Sequence, residues 1–318
     1  NSLLALDAEM LGFLAAALDR HQESEIHHAR ASAHRERIRE HFWDDSRGIF
    51  ANRLWSGNFV RSLAPTSFFP LLAGAARPAQ IASLARHLSS ARSFGGKWGL
   101  PSVVRSDPAF ADNVYWRGRI WPILNWLVWL GLKRSGLASQ AETLRKKSCK
   151  LFSESWRLRL APENFHAHTG EGLDQPDTDP FYSWTALLPL MGVADLVDVD
   201  PWKGWCLRTD GGDIEIGPVT SPLGGLRILR RRGWTEVRLA EDLLFATDIV
   251  PELTGIEFGE KLALMLPARL RGGASFRTSR TIASAQQNGR PLLVPAAGGI
   301  RLQATASRPE RLEIAFAK

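Results

Sequence analysis

At 318 residues and a formal charge of +7, the chain is long enough for one large domain or two ordinary ones. Its longest apolar run, residues 120–132, reaches roughly 20 Å as a helix against a hydrocarbon core of about 30 Å, which argues against a membrane span. The basic clusters at 145–147 and 230–232 lie far apart, which argues against a nucleic-acid surface, and Cys149 and Cys206 lack the spacing of a disulfide framework or zinc site and read as packing residues.

The chain opens on a helical pattern in which Leu3, Leu6, Met10, Leu14 and Leu18 recur at helical spacing. After a short link near His21, residues 23–41 read as a charged, histidine-bearing helix. Residues 68–75 are apolar and 79–89 amphipathic. Residues 115–132 are apolar on every side, 138–156 carry Lys146, Lys147 and Lys150, and 181–196 are again apolar nearly all round. A helix apolar on every side is buried and one with a charged face lies outside, so inner and outer helices alternate.

The links alternate too. Those from inner to outer helices are short, whereas those from outer to inner run over about 43–66, 91–113 and 157–180. Loops longer than roughly 12 to 15 residues in compact domains are usually functional. If the inner helices are parallel, all three long loops open at one rim, which predicts an alternating helical toroid with a cleft at that end. After residue 199 the apolar period changes to two, as in 212–216, 235–239 and Leu312, Ile314, Phe316, with Asn288-Gly289 as a hairpin turn. The expected architecture is mainly α, with a partial toroid over 1–199 and an antiparallel β module of sandwich type over 200–318.

The third long loop holds Glu163, Glu171, Asp174, Asp177 and Asp179 with His166 and His168, and it leads into Phe181-Tyr182-Ser183-Trp184. Carboxylates handle protons and flat aromatic faces stack on sugar rings, so acids beside aromatics on one rim suit a glycosidase. An acidic surface loop would have the same composition. Twelve tryptophans against two tyrosines fit a sugar-binding cleft as well as large core side chains. The second loop enters the apolar helix through Tyr115-Trp116-Arg117-Gly118. An unpaired guanidinium would be costly to bury there, so Arg117 is expected to meet a carboxylate or ligand oxygens. His166 and His168 alternate as two metal ligands could, but no third ligand stands at a recognised spacing, and no metal or cofactor is expected.

Six segments carry a resemblance: NSLLALDAEM, PTSFFPLLAG, FGGKWGLPSVVRSDPAF, NVYWRGRIWPILNWLVWLGL, PENFHAHTGEG and FYSWTALLPL. Over roughly residues 1–198 they resemble glycoside hydrolase family 63 and its mannosylglycerate hydrolase-like relatives, kin in fold to trehalases. YWRG-x-IW followed by EN[YF]-x-x-x-TG and an FxW-T helix is far more specific than any one part. The resemblance implies about seven of the twelve helices of an (α/α)6 barrel that cleaves α-glucosides or α-mannosides, glycosylglycerates included, with inversion.

It further implies Glu163 as the general base, with Asn164, Tyr115, Trp116 and Arg117 lining the sugar subsite and Trp98 and Trp184 as aromatic walls. Arg105 or Arg117 would supply cationic contacts to a glycerate. In the family the general acid is an Asp just upstream of the segment matching NSLLALDAEM, which implies that it precedes Asn1 and that this chain alone is inactive. Asp7 and Asp112 are the nearest substitutes within the chain. The expected partner is a carbohydrate; a non-catalytic carbohydrate-binding protein using the same cleft is the alternative.

Overall fold

Helices α1 (Ser2–Ala17) and α2 (His21–Phe42) form the first hairpin of a computed structural model that describes residues 1–295 and 299–317. Small residues make the packed face of α1. Ala5, Ala8, Gly12 and Ala15 are buried with Glu9, whereas Leu3, Leu14 and Leu18 are 49%, 61% and 67% exposed. The leucine stripe that marks this helix in the sequence is therefore not its buried side. The reason is close approach: a Cβ on Gly12 would stand 2.7 Å from the His28 ring of α2, leaving no room for large side chains. Ser24 donates to the Gly12 carbonyl at 2.9 Å, and the buried Glu9 carboxylate pairs with Arg35 at 2.5 Å and Arg134 at 2.8 Å.

A two-residue ribbon, β1 (Trp43–Asp44) and β2 (Ile49–Phe50), starts the first long loop, and a 3-10 turn over Pro65–Phe68 runs into the single turn of α3 (Phe69–Leu72). Helices α4 (Pro78–Ser89), α5 (Pro122–Arg134) and α6 (Ala138–Trp156) follow, and a 3-10 turn over Ser183–Ala186 leads into α7 (Leu187–Leu196). Both α4 and α5 begin on a proline, whose missing N–H has no partner to lose at that position. The buried helix thus starts at Pro122, not at residue 115; residues 114–117 close a tight turn, with Val114 and Arg117 exchanging backbone hydrogen bonds.

Within the unit Asn1–Gly192, α3 packs between α1 and α5, α2 pairs with α1, α6 pairs with α5, and the turn before α7 also reaches α5. The seven α-helices among the described residues form a partial (α/α)6 toroid. The three long loops meet: Val104 N–H donates to the Leu63 carbonyl, Ser62 to Asp107, and the Trp98 indole N–H to the His168 carbonyl.

The second unit, Val193–Lys318, is a β-sandwich. Its strands are β3 (Val197–Asp200), β4 (Gly204–Arg208), β5 (Ile214–Ser221), β6 (Gly224–Arg231), β7 (Trp234–Leu239), β8 (Asp242–Thr247), β9 (Glu252–Phe258), β10 (Lys261–Leu266), β11 (Ser275–Arg277), β12 (Ile282–Gln287), β13 (Arg290–Pro291), β14 (Gly299–Arg301) and β15 (Glu310–Phe316). One antiparallel sheet has the order β13-β12-β15-β10-β9-β4-β3 and the other β14-β11-β8-β7-β6-β5. Leu226, Ile228, Val237, Phe245 and Phe276 of the second share one apolar core with Leu253, Leu264, Leu312 and Ile314 of the first. Gln287 pairs with Arg290, so Asn288 and Gly289 form the two-residue hairpin turn, both at positive φ as that turn requires.

Candidate active site

Backbone pairing on both sides fixes the segment that carries Glu163. Phe165 exchanges two hydrogen bonds with Ile120 (2.8 and 3.0 Å), Glu163 N–H donates to the Asp179 carbonyl (2.9 Å), and Tyr182 N–H donates to the Ala161 carbonyl (2.9 Å). The Thr185 hydroxyl donates to the Pro162 carbonyl. The segment is thereby held between the residues leading into α5 and those leading into α7.

Of the five acids in this loop, Glu163 is the buried one, at 9% exposure. Asn164, fully buried, donates its Nδ2 to Glu163 Oε2 at 3.3 Å. Burial pushes the Glu163 carboxyl above the ordinary glutamate range; the hydrogen bond from Asn164 opposes this, and the negative charges of Asp179 and Asp177 add to it.

The same pairing gathers an aromatic wall. Trp121, fully buried, stacks on Trp116 with ring centroids 3.7 Å apart and planes 7° off parallel. Tyr115 meets Trp121 edge-on at 4.9 Å, and Trp184 does so at 6.0 Å with Tyr182 against its own ring at 5.2 Å. Tyr115 and Trp116 remain 40% and 41% exposed, so part of each ring is open to solvent. The turn that presents them needs Gly118: its φ is +107°, and a Cβ there would lie 2.5 Å from the Phe110 carbonyl oxygen. Tyr115 itself sits at φ +44°, a left-handed conformation that costs an aromatic residue about 1–2 kcal/mol.

The guanidinium buried in front of the apolar helix is not the expected one. Arg117 is 65% exposed and pairs with Asp112, so it does find a carboxylate, on the surface. Arg119, two residues on, is fully buried. Its Nη1 and Nη2 contact Asp174 at 3.2 and 2.8 Å, and its Nε donates to Asn164 Oδ1. Against burial, which would raise it, these contacts hold the Asp174 carboxyl below the usual aspartate range. Arg119 and Trp121 are functional candidates that sequence reasoning passed over. The available signal was an arginine directly before Ile120-Trp121-Pro122, where a charge enters the apolar run.

Trp98 and Arg105 form a second cluster. Trp98 is 5% exposed and donates to the His168 carbonyl at 3.0 Å; Lys97 and Lys150 approach its ring to 4.7 and 5.5 Å. Arg105 lies over the Phe110 ring at 5.0 Å, and Phe110 meets His168 edge-on at 5.2 Å. The Arg105 Nε and Nη2 are buried without a hydrogen-bond partner, and burial lowers the pKa of the group. His166 Nδ1 accepts from the backbone N–H of His168 at 3.0 Å and of Thr169 at 3.3 Å, so this ring nitrogen caps its own turn. Burial, with Arg119 and His168 nearby, lowers the His166 pKa against the pull of Asp174 and Glu171.

Residues 1–185 match the model of the mannosylglycerate hydrolase MGH1-like glycoside hydrolase domain. The chain belongs to this family. Among similar proteins, the mannosylglycerate hydrolase of Rubrobacter radiotolerans is 32% identical over 194 residues, covering 60% of this chain and 42% of that protein. The glucosylglycerate hydrolase of Mycolicibacterium hassiacum is 32% identical over 123 residues, 37% of this chain and 26% of that protein. The structure of the family 63 mannosylglycerate hydrolase from Thermus thermophilus in complex with glucose superposes with a TM-score of 0.51 at 26% identity, over 60% of this chain and 46% of that one. This MGH1-like chain therefore spans less than half the length of these relatives. The matched region contains Glu163, Asn164, Arg119 and the whole aromatic wall.

Proposed function

We propose that the protein containing this chain hydrolyses an α-glycoside of the mannosylglycerate or glucosylglycerate class with inversion, and that Glu163 is its general base. Glu163 removes a proton from a water that attacks the anomeric carbon from the face opposite the leaving oxygen. Inversion needs a second carboxyl about 6.5 to 9.5 Å from the base, leaving room for that water. The family resemblance assigns it to an Asp just upstream of the segment matching residues 1–10; within the loop, Asp174 is held in an ion pair by Arg119.

The observation that carries this reading is the burial of one acid among five. A carboxylate in a partly dry setting, pushed up by that burial and still accepting a hydrogen bond from Asn164, is a stronger base than its exposed neighbours. Tyr115, Trp116 and Trp184 supply flat faces for a sugar ring, whereas Trp98, expected as a second wall, is 5% exposed with Lys97 and Lys150 against its ring and has no such face to offer. Arg117, exposed beside them, and Arg105, under the second cluster, are the cations proposed to meet a glycerate carboxylate.

The test is hydrolysis of mannosylglycerate and glucosylglycerate by the protein containing this chain, with the anomer of the released sugar read by proton NMR. The β-anomer is expected first, and Glu163→Gln should reduce kcat by about two to four orders of magnitude. Turnover unchanged in Glu163→Gln, or initial release of the α-anomer, would overturn the assignment. Binding without turnover would instead favour a carbohydrate-binding protein.

A further inference from the structure

Arg119 occupies the position left open in the YWRG-x-IW pattern, yet it is the only arginine among the described residues with no exposed surface. Its two ends have different partners. Nη1 and Nη2 grip Asp174, while Nε faces the Asn164 amide oxygen. An amide whose oxygen is held by a guanidinium can present only its NH2 in the other direction, and that NH2 points at Glu163.

We infer that Arg119 is a positioning residue, anchored by Asp174, that locks the Asn164 amide with its Nδ2 toward Glu163 and so sets the protonation range of the proposed base. The inference rests on the role proposed for Glu163. Without Arg119 the amide is free to turn its oxygen toward the carboxylate, replacing a hydrogen bond with a repulsion. Asp177 and Asp179, the other charged groups facing Glu163, then act unopposed. Hydrogen bonds to the charged form favour it, so their loss moves the Glu163 midpoint to higher pH. A base that must be ionised then loses activity from the acid side.

The direct readout needs no turnover. Glutamate 13Cδ labelling, with the Glu163 signal assigned by Glu163→Gln, follows the carboxyl through a pH titration in wild type, Arg119→Lys and Asn164→Leu. Both variants should raise the midpoint, and the double variant should raise it no further than Asn164→Leu alone. In steady-state kinetics of the full-length protein, Arg119→Lys should lower kcat about tenfold, leave KM nearly unchanged and shift the acid limb upward. A midpoint raised in Asn164→Leu but unmoved in Arg119→Lys would overturn the inference while leaving Glu163 as base. Full activity in Glu163→Gln would overturn the reading beneath it instead. Should Arg119→Lys not fold, Asp174→Asn frees the far end of the arginine without changing its size, and the same rise is required of it.

Discussion

Gly118→Ala tests whether the turn that displays Tyr115 and Trp116 is held by sterics. Two penalties separate cleanly. A side chain at φ +107° is strained, and its Cβ would lie 2.5 Å from the Phe110 carbonyl oxygen and 3.3 Å from its carbon, backbone atoms that cannot rotate away. Strain contributes about 1–2 kcal/mol and overpacking about 1–3, giving about 3 kcal/mol in all. Gly136→Ala is the control: its φ is +72°, but nothing stands within 4 Å of the added methyl, so only strain of about 1 kcal/mol remains. Urea unfolding followed by helix signal should place Gly118→Ala about 2 kcal/mol below Gly136→Ala with the slope unchanged. The near-ultraviolet circular dichroism of the stacked Trp116–Trp121 pair should weaken in Gly118→Ala alone. Equal midpoints for the two variants would refute the steric account.

Glu9→Ala leaves Arg35 and Arg134 without their shared buried carboxylate and should destabilise the helical unit by about 3–5 kcal/mol in the same urea assay. Glu163 has a raised pKa in the folded chain, so the fold loses stability as pH rises from the ordinary glutamate value through the folded one. Glu163→Gln should therefore unfold at higher temperature than wild type at neutral pH, and the gain should vanish in acid, as read by calorimetry. Asp174 has the opposite sign. Its depressed pKa contributes stability above the ordinary aspartate value that is lost as pH falls through the folded one, so Asp174→Asn should flatten the acid side of the stability curve.

Much of the fold was legible because it follows from periodicity. The switch from a helical to a two-residue period separated helices from strands, loop lengths picked out the three segments that bond to one another, and Asn288-Gly289 specified its turn. Leu312 and Ile314, read as one face of a strand, are both fully buried. The roles of site residues were not legible in the same way. Arg117 and Arg119 sit two apart in a non-repeating loop, and backbone pairing with residues distant in the chain, Ile120 with Phe165 and Arg119 with Ser102, holds the segment with Arg119 beside Asn164.

The sequence by itself determined the element types and the loop bearing Glu163, since backbone propensity and apolar spacing act over a few residues. Tertiary structure decided which faces are buried and which charges are shared. On α1 the small residues go inward and the leucines outward because α2 approaches to within contact of Gly12. Glu163 differs from four neighbouring acids only through burial, the Asn164 amide and the backbone segments bonded on either side. Burial and electrostatics depend on groups far apart in the chain, and no local pattern encodes the distance between them.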